Sequence, residues 1–141
     1  MDQRVSLITL AASDLERSAT FYQAMGWRRV ETPDGMVVFD LIGQVLGLYP
    51  REKLAEEFGG DAGRFGGGIV LSHNVPVKED VAVLIDRARA AGADILTEPV
   101  DVFWGGHHGH FADPDGHVWE IAFNPFSTLG PNGEFRWNGY E

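Results

Sequence analysis

The chain has 141 residues, no cysteine and a formal net charge of −10, and 44% of its residues are hydrophobic. The lack of cysteine excludes disulfides and a thiol nucleophile, and the acidic charge argues against nucleic acid as a partner. No apolar run reaches the roughly 18–20 residues that span a membrane, and the first residues lack the regions of a signal peptide, so we expect a cytoplasmic protein without a membrane partner.

The first half of the chain shows the pattern of one strand, one helix and three further strands. Ser13 can cap the helix and forms a Ser-x-x-Glu capping box with Glu16, and Gly26 can end it. The predicted elements are a strand at 4–12, a helix at 14–25 and strands at 27–31, 36–41 and 44–49.

Residues 50–67 form a glycine-rich link that begins with one or two predicted helical turns over 51–58. Phosphate-binding loops are also rich in glycine, but this link contains no Gly-Lys-Ser/Thr sequence. The composition therefore favours a flexible connector or a mobile flap.

The second half repeats the pattern of the first. The predicted elements are a strand at 69–73, a helix at 78–91, a strand at 93–97, a lead-in at 99–103 and a hairpin with strands at 106–112 and 117–123. The remaining residues, 126–141, are irregular but carry aromatic side chains, so we expect them to pack on the domain or on a partner subunit.

The hairpin is the most informative stretch, WGGHHGHFADPDGHVWEIAFNP, at residues 104–125. Pro114 suits the second position of a type I turn, and Gly116 can adopt the left-handed conformation that closes a bulge. If the loop has three residues, Asp113 pairs with His117. The same count places Ala112 opposite Val118, His110 opposite Glu120 and His108 opposite Ala122.

This register separates the side chains of the hairpin into two faces, because side chains alternate along a strand. His108, His110 and Glu120 share one face. The other face is apolar and carries Phe111, Trp119, Ile121 and Phe123.

Two sequence segments resemble the vicinal oxygen chelate superfamily, which includes glyoxalase I, extradiol dioxygenases and bleomycin-binding proteins. They are Ser-Asp-Leu-Glu-Arg-Ser-x-x-Phe-Tyr at 13–22 and Phe-x-Asp-Pro-Asp-Gly-x-x-x-Glu at 111–120. The resemblance implies an α+β fold in which two paired β-α-β-β-β modules form an open cup-shaped sheet around a ligand. It implies one domain over 1–125, with modules at 4–49 and 68–124 and the tail at 126–141, and commonly a homodimer.

The resemblance also implies where a metal would bind. Metal-using members place ligands on the first and last strands of each half, and only Glu120 matches such a position. The other positions fall near Leu7, near Gly68 and at 46–48, where no side chain offers a donor. A catalytic divalent ion needs three or more protein ligands, so we expect no cofactor and no metal at the superfamily's usual site.

Three interpretations of His108, His110 and Glu120 stay open. Two histidines and a carboxylate are a known ligand set for zinc and non-haem iron, although residues i and i+2 of a strand lie about 6.5 Å apart, which makes convergence on one ion awkward. In the second interpretation Glu120 and His110 are catalytic, with Glu120 orienting His110 for acid–base chemistry. In the third, the three are polar side chains of a wet cavity without chemistry.

Four residues are predicted to contact a ligand: His108, Trp104, Tyr49 and Asp40. The rings of Trp104 and Tyr49 lie near predicted strand ends, where they can stack on a planar or cationic molecule. Asp40 lies in an apolar strand, where it either faces solvent or pairs with a cationic ligand.

These features favour a binding protein, similar to the bleomycin-binding proteins, that holds a small aromatic or cationic molecule without the usual metal site. One alternative is a metal-dependent lyase, isomerase or dioxygenase that uses Glu120. The other is a non-catalytic interaction module whose cup is filled by its own side chains or tail.

Overall fold

The computed structural model describes residues 1, 3, 5–32, 35–57 and 69–140. The chain separates into two units, residues 1–68 and 69–141. Each unit contains one four-stranded open sheet and helical structure, so the predicted α+β class and the two β-α-β-β-β patterns are confirmed.

The first unit has the sheet order β1-β4-β3-β2, in which β1 and β4 are parallel and the other pairs are antiparallel. Its elements are β1 (Leu7–Ala12), α1 (Leu15–Ala24), β2 (Arg29–Val30), β3 (Val37–Leu41), β4 (Gln44–Pro50) and α2 (Arg51–Glu57). Phe21, Phe39, Leu46 and Leu48 are almost fully buried and form its core.

The cap of α1 differs from the prediction. Asp14, and not Ser13, is the N-cap residue, and its carboxylate accepts a hydrogen bond from the backbone N–H of Arg17. Ser13 instead accepts one from the Arg17 guanidinium, and Glu16 pairs with Arg29. The capping box is therefore absent, because the helix begins one residue later than the Ser-x-x-Glu spacing requires.

The second unit repeats this arrangement with the order β5-β8-β7-β6 and a parallel pair, β5 and β8. Its elements are β5 (Val70–Asn74), α3 (Glu79–Ala90), β6 (Asp94–Asp101), β7 (His107–Ala112) and β8 (Val118–Phe123). Helix α3 contacts β6, β7 and β8.

Helix α3 covers one face of the second sheet through Val81, Ile85 and Ala88, which are fully buried. A Cβ atom on Gly109 would lie 2.9 Å from Cγ1 of Ile85, so the glycine allows the helix to approach β7 closely. Gly109 pairs with Ile121, which places Ile121 on the same, apolar face of the sheet.

Two predicted boundaries are wrong. Strand β6 does not end at residue 97 but continues to Asp101, with two register shifts against β7. Because β6 is an edge strand, Pro99 can be accommodated within it although proline cannot donate a backbone hydrogen bond. Strand β2 is shorter than predicted, since the N–H of Trp27 donates to the carbonyl of Tyr22 in the last turn of α1, and its ring stacks on Tyr22 with ring centroids 5.1 Å apart.

The predicted helical turns of the link are observed as α2, and the glycine-rich remainder of that link lies outside the described residues. Residues 124–140 form no helix or strand. They fold back on themselves, since Ser127 Oγ donates to the carbonyl of Trp137 and the N–H of Tyr140 donates to the carbonyl of Thr128. Within the described ranges, no helix has the length and apolarity that crossing a membrane requires.

Candidate functional site

The turn between β7 and β8 sets the register that places His108, His110 and Glu120 at the candidate site. Asp113 Oδ1 accepts hydrogen bonds of 2.9 Å from the backbone N–H groups of Asp115 and His117. The N–H of Asp113 donates to the carbonyl of His117, and Gly116 has φ +87°. The predicted three-residue loop is therefore confirmed, and so is the register, in which His110 lies opposite Glu120 and His108 opposite Ala122.

His108, His110 and Glu120 form a cluster on the face of the sheet that α3 does not cover. Glu120 Oε2 lies 3.0 Å from His108 Nδ1 and 3.4 Å from His110 Nε2. The two imidazole centroids are 4.6 Å apart, with an interplanar angle of 70°. The three side chains are 21%, 22% and 25% exposed, so each is partly desolvated and still reachable from solvent.

Ser72 completes this cluster from a third strand. It pairs with Glu120 across the parallel β5–β8 ladder, and its hydroxyl donates a 2.9 Å hydrogen bond to Glu120 Oε1. The sequence reasoning missed Ser72. The signal that could have found it is the duplication itself, because parallel pairing of the first and last strands of a module places a polar residue of β5 beside Glu120.

One atom of the cluster is not satisfied. His110 Nδ1 is buried and has no hydrogen-bond partner among the residues that the structure describes. A buried polar atom without a partner costs about 1–3 kcal/mol, and such atoms in native proteins call for an explanation. Here the atom belongs to a side chain whose other ring nitrogen faces Glu120.

Comparison with known proteins identifies the family of the chain. The sequence model of the Glyoxalase/Bleomycin resistance protein/Dioxygenase superfamily matches residues 4–121. The chain belongs to this superfamily.

Three relatives show the range of the likeness within the glyoxalase superfamily. A glyoxalase-related enzyme from Fulvimarina pelagi is 38% identical, and its crystal structure matches with a TM-score of 0.89 over 97% of this chain and 99% of that chain. A Mycobacterium bovis protein that is named as uncharacterized is 29% identical over a 117-residue alignment, with 79% of this chain and 75% of the relative covered. Lactoylglutathione lyase from Agrobacterium tumefaciens is 20% identical with a TM-score of 0.66, over 88% of this chain and 96% of that chain, and shares the fold alone.

In the described part of the first unit, no metal-binding side chain lies at the positions where the superfamily usually has its metal ligands. Leu46 and Leu48 are buried in the core, so the residue of β4 on the other face is Gly47. A Cβ atom on Gly47 would lie 2.6 Å from Met36 Cε and 3.4 Å from Leu7 Cδ1, so aliphatic and thioether groups fill this space. These residues do not fit the usual ligand set, and the position near Gly68 lies outside the described residues.

The other predicted ligand contacts lie on elements other than the strands of the cluster. Tyr49 is half-buried and Asp40 is exposed, and both lie on the sheet of the first unit. Trp104 lies in the turn between β6 and β7 and is 37% exposed, with its indole ring covering Gly106. Their roles in ligand binding remain predictions.

A second polar group links α3 to the end of β6. Asp101 Oδ1 lies 2.7 Å from Lys78 Nζ and 2.8 Å from His107 Nδ1. The hydrogen bond from Lys78, and then that from His107, lowers the pKa of Asp101 below its ordinary value. This second group therefore has a negatively charged carboxylate at neutral pH that joins the helix start to both strands of the β6–β7 hairpin.

Proposed function

We propose that this protein binds a small molecule on the face of the second sheet that carries His108, His110 and Glu120, without the usual metal ligands of its superfamily. The observation that supports this most is the sharing of one carboxylate oxygen by two imidazoles on a partly exposed face. Partly desolvated polar groups that converge in this way are typical of binding sites, since their interactions are stronger than in bulk water.

The chemistry of the cluster indicates the class of ligand. The carboxylate can accept from a cationic or hydroxyl-bearing group, and each imidazole can donate or accept. The net charge of −10 attracts cations over a distance. The partly exposed ring of Trp104 lies in the same unit and can stack on an aromatic molecule. We therefore propose an aromatic or cationic ligand.

Calorimetric titration with bleomycin, which is cationic, and catechol, which is aromatic, tests this function, and the hemithioacetal of methylglyoxal and glutathione is a probe that is neither. We expect heat of binding with bleomycin or catechol, and an affinity at least ten-fold lower in Glu120→Gln. Glu79→Gln is the matched control, because Glu79 is an exposed residue in the first turn of α3. Absence of heat with both bleomycin and catechol, or equal loss in both variants, would contradict the proposal.

A second candidate is an enzyme of the lyase or isomerase type. The observation that favours it is the 3.0 Å hydrogen bond between His108 Nδ1 and Glu120, because an imidazole that a carboxylate orients is a common general base. The Fulvimarina pelagi relative, which is 38% identical, is described as an enzyme. In this case His108→Gln would abolish turnover of the hemithioacetal but retain its binding, whereas binding without turnover in the wild type would dismiss this candidate.

A further inference from the structure

We propose that His108, His110 and Glu120 together hold one divalent transition-metal ion, at a site built by a single β-hairpin. This site differs from the usual metal site of the superfamily, because Glu120 is the one ligand that the two sites share. The inference rests on the proposed function and deepens it, because the ion would bind an oxygen or nitrogen donor of the ligand and so favours an aromatic molecule with such a donor over a cationic one.

Two of the three distances between the donor atoms suit a common ion. One ligand atom from each of the three side chains lies within 4.8 Å of the others. Ligands at about 2.1 Å from a zinc-type ion are about 3.0 Å apart when they subtend 90° and about 3.4 Å apart when they subtend a tetrahedral angle. The separations of Glu120 Oε2 from the nitrogens of His108 and His110 are 3.0 and 3.4 Å.

The imidazole rings also have a suitable arrangement. Two histidines on one ion place their ring centroids about 4.5–5.2 Å apart for the same two angles and ligand distances. The observed separation is 4.6 Å. The wide spacing of i and i+2 residues along β7 is therefore overcome by the side chains, because both rings lean toward Glu120.

Hydrogen bonding alone leaves this cluster incomplete. The 3.4 Å contact between His110 Nε2 and Glu120 exceeds the range of about 2.7–3.2 Å for a good N–H···O bond. One carboxylate oxygen thus serves one imidazole well and the other poorly. An ion between the three groups would instead bind the lone pair of each. Ser72 donates to Oε1 and so leaves Oε2 to face the ion, as hydrogen bonds to metal-binding carboxylates do.

The donor set indicates the class of ion. Two imidazole nitrogens and one carboxylate favour zinc or iron(II) over magnesium and calcium, which prefer all-oxygen sites. Three protein ligands leave at least one coordination position for a ligand from solution. We use Zn²⁺ as the probe, with Co²⁺ as its spectroscopic substitute.

The test is titration of untagged, metal-depleted protein with Zn²⁺ in the presence of a competing chelator. We expect one ion per chain, with an affinity at least ten-fold lower in Glu120→Gln and in His110→Asn. His73→Asn is the matched control, since His73 lies on β5 outside the cluster, and it should bind as the wild type does. Circular dichroism of each variant shows whether it is folded.

Bound Co²⁺ should give a visible absorption spectrum with imidazole ligation in the wild type and in His73→Asn, and should lose it in Glu120→Gln and His110→Asn. No stoichiometric Zn²⁺ binding by the wild type would overturn the inference. So would Zn²⁺ binding that all three variants retain, because the ion would then lie elsewhere.

The failure of this inference can be told apart from that of the proposed function. If bleomycin, catechol or the hemithioacetal binds equally well with and without a chelator and Zn²⁺ does not bind, the metal site is wrong and the proposed function stands. If Zn²⁺ binds through the cluster and none of the probes binds, the metal site stands and the proposed function is wrong.

Discussion

Glu120 connects three strands through its two carboxylate oxygens. One oxygen accepts from Ser72 on β5, and the other faces His108 and His110 on β7. His110 has the least favourable surroundings, with one ring nitrogen in a long contact and the other buried without a partner in the described residues. Such an arrangement is expected where a side chain is kept for ligand binding although it lowers the stability of the folded protein.

Replacing His110 with phenylalanine tests this opposition. His110→Phe keeps a ring of similar size and removes the unsatisfied Nδ1 atom, so we expect the free energy of unfolding to stay the same or to rise by up to about 1 kcal/mol. Zn²⁺ binding should be lost at the same time. Urea denaturation measures the first quantity. A loss of stability well beyond about 1 kcal/mol would show that His110 has a structural role.

The sequence predicted the two histidines and Glu120 as a cluster, because that prediction depends only on a local turn. Pro114 and Gly116 determine the loop length, and the loop length determines the register. Ser72 could not be predicted in the same way, since its contact with Glu120 joins residues 48 positions apart. The cap of α1 was mispredicted because Ser13 and Asp14 are both good capping residues and the pattern does not choose between them.

At the scale of elements, the β7–β8 hairpin depends on Asp113. Its side chain is 4% exposed and accepts two backbone hydrogen bonds within the turn. This turn keeps the loop at three residues, and a loop one residue longer or shorter would move Glu120 to the opposite face of the sheet.

Removing the Asp113 carboxylate should therefore affect both stability and binding. We expect Asp113→Ala to lower the free energy of unfolding by about 1–3 kcal/mol, because two partly buried N–H groups lose their acceptor. The affinity for Zn²⁺ should fall as well. Asp113→Asn retains one acceptor oxygen and should lose less of both. Equal losses in the two variants would mean that the charge of Asp113, and not its turn geometry, is what matters.

The start of α3 provides a prediction for pH dependence. Lys78 is the main cause of the lowered pKa of Asp101. A carboxylate whose pKa is lower in the folded than in the unfolded state stabilises the folded state at a pH above the unfolded-state pKa. This stabilisation is lost as the pH falls through the folded-state pKa. We expect Lys78→Met to raise the pKa of Asp101 toward its ordinary value in an NMR titration of the carboxyl carbon, whereas Lys53→Met should leave it unchanged. An unchanged Asp101 pKa in Lys78→Met would show that His107 alone maintains the shift.

At the scale of the whole molecule, the chain contains the same sheet order twice, and among the described residues the cluster of His108, His110 and Glu120 lies in the second unit. In the first unit the space beside Gly47 contains Met36 and Leu7. The duplicated pattern of strands and helices was predictable because it follows from apolar periodicity and glycine stops. The ends of the edge strands β2 and β6 could not be predicted in this way. The contacts of Trp27 determine where β2 begins, and β6 continues past Pro99 because an edge strand can accommodate proline.

The homodimer implied by the superfamily remains a prediction, and the tail offers a way to test it. Phe126 and Trp137 are 70% and 76% exposed within one chain, which is unusual for two large aromatic residues. We expect sedimentation velocity to show a dimer that dissociates in the double variant Phe126→Ser, Trp137→Ser. Val83→Ser is the control, since Val83 is an exposed apolar residue on α3. A monomeric wild type, or a dimer that both variants retain, would contradict the prediction.

We propose that the half-buried cluster of Glu120 and two histidines on one hairpin is the functional group of this protein. Diffraction at the zinc absorption edge from crystals grown with Zn²⁺ is the decisive measurement. We expect one anomalous difference peak per chain, about 2.0–2.2 Å from a carboxylate oxygen of Glu120 and from one ring nitrogen each of His108 and His110. A fully occupied peak bound by other residues, with the cluster free of zinc, would contradict it.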